Sequence, residues 1–254
     1  MFSYKQILLI AASILVVSCV STVPKKSTKV DSKKAYESNI KLGMGYLQKG
    51  DRDSALRAFS KALDLNKRSA DAYQGLALVH QVNGEFVLAE KQFKKALTLK
   101  SGFSRASIEL SYASFLYSQE RYKEAIPLLE KAGADINYSG REKALYMLGL
   151  TLIEMGETKR AIASFEHVSN LNSRHAGSAI ELAEHYLLKE DYPNAKRYLD
   201  QFSSNARQSS RSLWVGIRLE RIFDNKDKVA SYALALKNLH PYSKEYLEYK
   251  KTLQ

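Results

Sequence analysis

The 254-residue chain has one cysteine, Cys19, so it cannot form an internal disulfide, a four-cysteine zinc site or an iron–sulfur cluster held by four thiolates. Four prolines and twelve glycines are too few for a collagen-like or proline-rich protein, and few breakers suit a mostly helical chain. Charge is missing where it is most telling: in the first 24 residues Lys5 is the only charged side chain. Elsewhere the chain is 45% hydrophobic and 26% charged, a globular composition. Its 39 Lys+Arg against 27 Asp+Glu leave a formal net charge of +12, compatible with an anionic surface as partner but silent on fold.

After Lys5 an apolar run extends from Ile7 to Val17. As a helix it would be about 16 Å long, well short of the roughly 30 Å hydrocarbon core, so it is an export-signal core and not a membrane span. It closes on Val16-Val17-Ser18-Cys19, which resembles the bacterial lipobox, and the single thiol stands where acylation and cleavage need one. Residues 1–18 are thus expected to be a lipoprotein signal peptide, with Cys19 the acylated first residue of the mature chain. Acyl chains contribute on the order of 0.8 kcal/mol per buried methylene, enough in pairs to hold a protein on a bilayer. By resemblance to bacterial lipoproteins, Val20 after the cysteine, where aspartate would retain the protein at the inner membrane, implies the periplasmic face of the outer membrane. Residues 19–34 have no aromatic residue and no helical apolar period, so they read as a tether. Lys25, Lys26, Lys29, Lys33 and Lys34 are either solvated there or close to anionic headgroups.

From residue 35 onward the sequence repeats itself every 34 residues. Leu42-Gly43, Tyr46, Gly50, Ala55, Phe59 and Ala62 return as Leu76-Ala77, His80, Gly84, Ala89, Phe93 and Ala96. Tyr112-Ala113, Leu116, Glu120, Ala125 and Leu129 follow, then Leu148-Gly149, Leu152, Gly156, Ala161 and Phe165. A fifth copy has Leu182-Ala183, Tyr186, Ala195 and Leu199; a sixth, weaker, has Gly216-Ile217, Ala233 and Leu236. This pattern is identified as tetratricopeptide repeats (TPRs), near 36–69, 70–103, 106–139, 142–175, 176–209 and 210–243. The implied fold is all-α, a right-handed superhelical solenoid of about six helix pairs. Small residues at the eighth position let the first helix (A) of each pair approach the second (B), and a turn glycine supplies the positive φ that ends helix A. Asp224 in place of that glycine, with Val229 in place of alanine, marks the sixth repeat as a terminal cap. Tyr242, Tyr246, Leu247 and Tyr249 are expected to cover its exposed end.

Catalytic motifs are missing: there is no nucleophile elbow, phosphate loop or His-Glu-x-x-His helix, and Gly43-Met44-Gly45 lacks the third glycine of a dinucleotide fingerprint. Glu181, Glu184 and His185, with His175 upstream, are better explained by ion pairing than by a metal. His80 is expected to be packed. No enzyme activity, cofactor, metal or small-molecule substrate is therefore expected, and scattered basic residues on an exported chain argue against nucleic acid.

In this repeat class helix A lines the concave face through its second, fifth, ninth, twelfth and thirteenth positions. Ile40, Met44 and Leu47, with Leu78 and Val82, would make an apolar groove for an amphipathic helix or extended peptide, unless the leader covers them or they pack more deeply. Tyr146, Leu150, Ile153, Ile180, Leu187 and Leu188 offer a second apolar stretch. Arg211, Trp214, Arg218 and Arg221, spaced three, four and three apart, are either an anion or acidic-peptide site anchored on Trp214 or a core-capping tryptophan among solvated arginines.

Lipobox, tether and six repeats, with the third reading Ser114-Phe115-Leu116-Tyr117-Ser118-Gln119-Glu120-Arg121-Tyr122-Lys123-Glu124-Ala125 and the sixth Leu213-Trp214-Val215-Gly216-Ile217-Arg218-Leu219-Glu220-Arg221, resemble the type IV pilus biogenesis/stability lipoprotein family, PilF/PilW. The resemblance implies a pilotin, an outer-membrane lipoprotein that binds the pilus secretin subunit and promotes its localisation and multimerisation, with Cys19 as acyl site and the first-repeat concave surface as secretin contact. The cysteine pair that several members carry near the third repeat is absent; Ser107 and Tyr117 stand in that region. Lipid-anchored TPR proteins also serve other envelope assemblies, such as outer-membrane protein insertion or peptidoglycan enzymes, which is the alternative.

Overall fold

Helix pairs succeed one another from the first described residues to the last. The computed structural model describes residues 31–100 and 105–253. The segments expected to be signal peptide and tether, Cys19 included, lie outside them up to Val30. The pairs are α1 (Ser32–Gln48) with α2 (Arg52–Leu65), α3 (Ala70–Val82) with α4 (Phe86–Leu97), and α5 (Arg105–Ser118) with α6 (Tyr122–Ala134). Next come α7 (Arg141–Glu154) with α8 (Thr158–Leu171), α9 (Ala176–Leu188) with α10 (Tyr192–Asn205), and α11 (Ser210–Ile222) with α12 (Lys226–Leu239); α13 (Lys244–Lys251) closes the array. The described residues contain no strand.

One boundary differs from the sequence reading. Ser32, Lys33 and Lys34 are not tether but the first turn of α1, because the Asp31 side chain accepts hydrogen bonds from the Lys33 and Lys34 amides and caps the helix. A run of polar residues is neutral to helix formation, and the cap decides it.

Within each pair the turn between helices has the same geometry. The backbone N–H of its last residue donates to a carbonyl in the final turn of helix A: Asp51 to Tyr46, Glu85 to His80, Arg121 to Leu116, Glu157 to Leu152, Asp191 to Tyr186 and Asn225 to Glu220. That bond needs a left-handed residue just before it. Gly50, Gly84 and Gly156 supply it at φ +77, +78 and +75°. In the other three repeats Glu120, Glu190 and Asp224 adopt φ 58, 61 and 51°. The turn is thus imposed by packing of the pair and persists where glycine does not.

Packing between repeats is closest at Phe59 of α2. A Cβ added at Gly43 of α1 would lie 2.5 Å from its ring, and one at Gly75 of α3 would lie 2.3 Å away. The ring is therefore wedged between two successive A helices, and with Ile40, Leu76 and Val79 it forms the amino-terminal core. A long central core runs from Phe93 through Phe115, Leu129, Leu152, Phe165 and Leu182 to Leu219. Leu213, Ile217 and Leu236 form a terminal core. Tyr246 and Tyr249 of α13 pack on it as expected, whereas Tyr242 is 92% exposed and Leu247 also faces out. Two of the four tail residues therefore do not cover the end.

Candidate functional site

The A helices line the concave face, and its two ends are built differently. At the amino-terminal end α1, α3 and α5 frame a groove of about 630 Å³. Ile40, Met44 and Gly45 come from α1, Asp71 and Gln74 from α3, and Ser107 from α5; Asn137, Tyr138 and Ser139 of the α6–α7 connection form its far wall. Met44 is 40% exposed in it, while Ile40, at 4%, is mostly a core residue showing one edge.

The polar lining is ordered by long-range bonds. Gln74 Nε2 donates to Ser111 Oγ at 2.8 Å and to the Ser107 carbonyl at 3.2 Å. Tyr36 Oη bonds Ser69 Oγ at 2.6 Å and donates to Asp71 Oδ2 at 3.1 Å. Burial raises the pKa of Tyr138, so its phenol stays protonated at neutral pH. The groove therefore presents an apolar floor beside fixed donors and acceptors, which suits an extended peptide whose backbone needs partners and whose side chain fills the Met44 corner.

Of the five residues expected to form an apolar groove, only Ile40 and Met44 line this one. Leu47 packs against the amino-terminal core and Leu78 against the central core. Val82 is 52% exposed but lies outside the lining. Hydrophobicity sends leucines inward when a neighbouring helix is within reach, which the position rule alone does not show. Asp71, Gln74 and Ser107 also line it; they sit at the second and fifth positions of their repeats, where a hydrophobic pattern carries no sign of polar lining.

At the carboxy-terminal end the concave face is closed by its own charges. Arg211 of α11 reaches back to α9, where Nη1 and Nη2 meet the Glu181 carboxylate at 2.6 and 2.7 Å and Nε meets Glu184 at 2.6 Å. These are the two glutamates considered for a metal, and the clamp commits both to a guanidinium. His175 caps α9 through the Ser178 amide at 2.9 Å and lies edge-on to Tyr146. Among the described residues no group of three or more His, Cys, Asp or Glu side chains is arranged to hold a metal ion.

The arginine–tryptophan cluster is likewise dispersed. Arg211 turns to α9, while Arg221 donates to Thr252 Oγ1 at 3.0 Å and lies 5.5 Å from the Tyr249 ring centre. Trp214 packs on the terminal core, edge-on to Tyr249 at 6.4 Å. Arg211 and Arg221 are thus engaged with Glu181, Glu184, Thr252 and Tyr249. Arg218 and Arg221 instead border a cleft of about 370 Å³ with Leu187, Leu188 and Tyr192. In the second apolar stretch Ile180 and Leu187 are buried, Tyr146 and Leu150 half-buried, and Ile153 and Leu188 exposed.

Outside the concave face, charges tie repeats together. Glu90 of α4 takes both Arg121 nitrogens at 2.7 and 3.0 Å and also meets Lys94 and the Tyr112 hydroxyl. Hydrogen bonds from Arg121, then Lys94, hold the Glu90 carboxyl down to about 2. The Tyr186 phenol, donating to Glu166, is pushed up to about 12. His80 is packed and bonds Glu85 through Nδ1.

Family models described as tetratricopeptide repeat match residues 40–102 and 142–175. The type IV pilus assembly protein PilF of Pseudomonas aeruginosa is 37% identical over 233 residues, which span 91% of this chain and 92% of that protein. The chain belongs to the type IV pilus assembly PilF family. A solved structure from the functional characterisation of Pseudomonas aeruginosa PilF superposes with a TM-score of 0.81 at 37% identity, covering 87% of this chain and 99% of that one. PilW, described as a widely conserved type IV pilus biogenesis factor, superposes with a TM-score of 0.68 at 22% identity over 87% of this chain and 99% of its own, a likeness of fold. Membership makes this a helical-repeat protein of type IV pilus biogenesis that works through protein–protein contacts, in a family of assembly proteins and not of enzymes.

Proposed function

We propose that the protein is a pilotin: a lipoprotein anchored through Cys19 on the periplasmic face of the outer membrane, which captures a segment of the type IV pilus secretin subunit and promotes its localisation and multimerisation. The observation that carries this reading is likeness to a type IV pilus assembly protein over nearly the full length of both chains. The groove of the first three repeats gives it a place to act. An extended secretin segment would set an apolar side chain against Met44 and Ile40 and satisfy its backbone on Gln74, Ser107 and Asn137. Acyl chains confine the array to the membrane surface, which raises the effective concentration of the captured subunit where it inserts.

The test is a blot of outer membranes for the heat-resistant secretin multimer in cells with and without this gene, and with Cys19→Ala. Loss of multimer with monomer retained is expected without the gene, and a folded, mislocalised protein with reduced multimer is expected for Cys19→Ala. Undiminished multimer in the deletion strain would instead point to a scaffold for another envelope assembly.

A further inference from the structure

The connections on the two long edges of the solenoid differ in charge. Each A helix ends, and its B helix begins, at a three-residue turn on one edge. The six turns, 49–51, 83–85, 119–121, 155–157, 189–191 and 223–225, hold seven acids, Asp51, Glu85, Glu120, Glu157, Glu190, Asp191 and Asp224, against Lys49, Arg121 and Lys189. The connections from each B helix to the next helix lie on the opposite edge. They hold Lys67, Arg68, Lys100, Arg174 and Arg207 against Asp135 alone among the described residues.

Helix capping accounts for part of the acidic edge but not for the basic one. Asp51 and Asp191 cap B helices there. On the basic edge the same need is met by Ser69, Ser209 and Ser243, with Asp31 the one acidic cap, at the entry of the array. Of the basic residues on that edge Lys67 pairs with Asp64, both well exposed; Arg68, Lys100, Arg174 and Arg207 are exposed and form no ion pair among the described residues. Large apolar side chains are exposed on both edges, Val87 and Phe223 on one and Ile136 and Leu239 on the other, so charge is what distinguishes them.

The chain enters the array on the basic edge. Lys33 and Lys34, in the first turn of α1, are exposed there, Lys34 paired with Asp31, and Tyr36 just after them bonds Ser69 at the end of the connection carrying Lys67 and Arg68. Residues 20–30 reach at most roughly 36–40 Å when fully extended, while a helix of 14 residues is about 21 Å long. The tether alone would therefore let either edge approach the membrane, and the electrostatics must choose.

We propose that the section of the basic edge next to the tether, carrying Lys33, Lys34, Lys67, Arg68 and Lys100, seats on an anionic phospholipid surface, so that the acidic edge faces away from the membrane. This orientation rests on the Cys19 anchor proposed above. Cations held within a Debye length of anionic headgroups attract them, and salt screens the attraction. The concave groove then opens along the membrane plane, beside the surface on which a captured subunit must insert.

The test is hydrogen exchange by mass spectrometry on the full acylated chain in vesicles of phosphatidylcholine alone and with about a third phosphatidylglycerol. Exchange at 67–69 and 99–100 is expected to slow about fivefold or more in the anionic vesicles only, and to recover at high salt. Arg68→Glu with Lys100→Glu, both exposed, should abolish the slowing while circular dichroism stays helical; the salt titration of the native chain decides the matter if that variant misfolds. Equal exchange in both vesicles, or slowing at the turns 49–51 and 83–85 instead, overturns the proposal. So does slowing that requires an added acidic protein and not lipid. Intact mass of the same sample reads the Cys19 acyl group separately: acyl present with an unprotected edge sinks the orientation and leaves the anchor, while a protected edge without acyl supports the edge and sinks the anchor.

Discussion

The concave face near α1 and the concave face near α11 are built from the same positions of the same repeat, yet one is open and the other is closed. In the second position, Ser107 leaves the amino-terminal groove free for a guest, whereas Arg211 spans the carboxy-terminal one to Glu181 and Glu184. The repeat provides the surface, and a single side chain per helix decides whether that surface is offered or spent internally. The ends differ in packing too. Phe59 between two glycines makes the amino-terminal core a tight joint, while the terminal core is finished by Tyr246 and Tyr249 of a short extra helix.

The largest expected effect separates the two halves. Phe59→Ala should cost about 3–5 kcal/mol in the amino-terminal core. Because repeat arrays are stabilised by nearest neighbours, the loss should stay local. Trp214, the single tryptophan, reports the far end, so its fluorescence melt should shift much less than the helical melt followed by circular dichroism. Equal shifts would mean that the array unfolds as one unit.

Arg211→Met should open the closed end. It strands Glu181 and Glu184, three apart on α9, without the cation they share, at a cost of about 1–3 kcal/mol, and here the Trp214 melt should carry the shift. A smaller effect is expected from Glu90, between the two ends. Its carboxyl titrates below the ordinary range in the folded protein, so its contribution is complete above the unfolded value near 4.5 and is lost as pH falls toward about 2. Glu90→Gln should therefore lower the urea midpoint at pH 7 more than at pH 3; an equal loss at both would show that the ion pairs with Arg121 and Lys94 do not set that carboxyl. Smallest are the turns. Glu120→Gly should stabilise by about 0.5–1 kcal/mol by relieving a left-handed glutamate, offset by the entropy of glycine. Asp224→Gly should gain less, since aspartate tolerates that region better.

The fold was legible because the repeat writes its packing into spacing. Gly43, Ala77, Ala113 and Gly149 return at the close contact, and Phe59, Phe93 and Phe165 at the wedge, whatever lies between. The turns were legible for a different reason: position fixes the left-handed residue, so Glu120, Glu190 and Asp224 keep a conformation their side chains do not favour. The site was read less well. Periodicity places Ile40 and Met44 on the concave face, but whether Leu47 points to solvent or to a neighbour depends on helix rotation within the pair, which spacing does not encode. Arg211, Trp214, Arg218 and Arg221 share a stretch of one helix, yet the partners of Arg211 and Arg221 lie about 30 residues away, on α9 and just past α13, out of view of any local pattern.

Whether the open groove holds the secretin is read from the affinity of the secretin subunit for the native chain, Met44→Glu and Leu188→Glu, with circular dichroism as the control for folding. A drop of roughly tenfold or more is expected for Met44→Glu, about 1.4 kcal/mol or more, and no change for Leu188→Glu at the closed end. Undiminished binding by Met44→Glu, or loss with Leu188→Glu alone, would contradict binding in that groove.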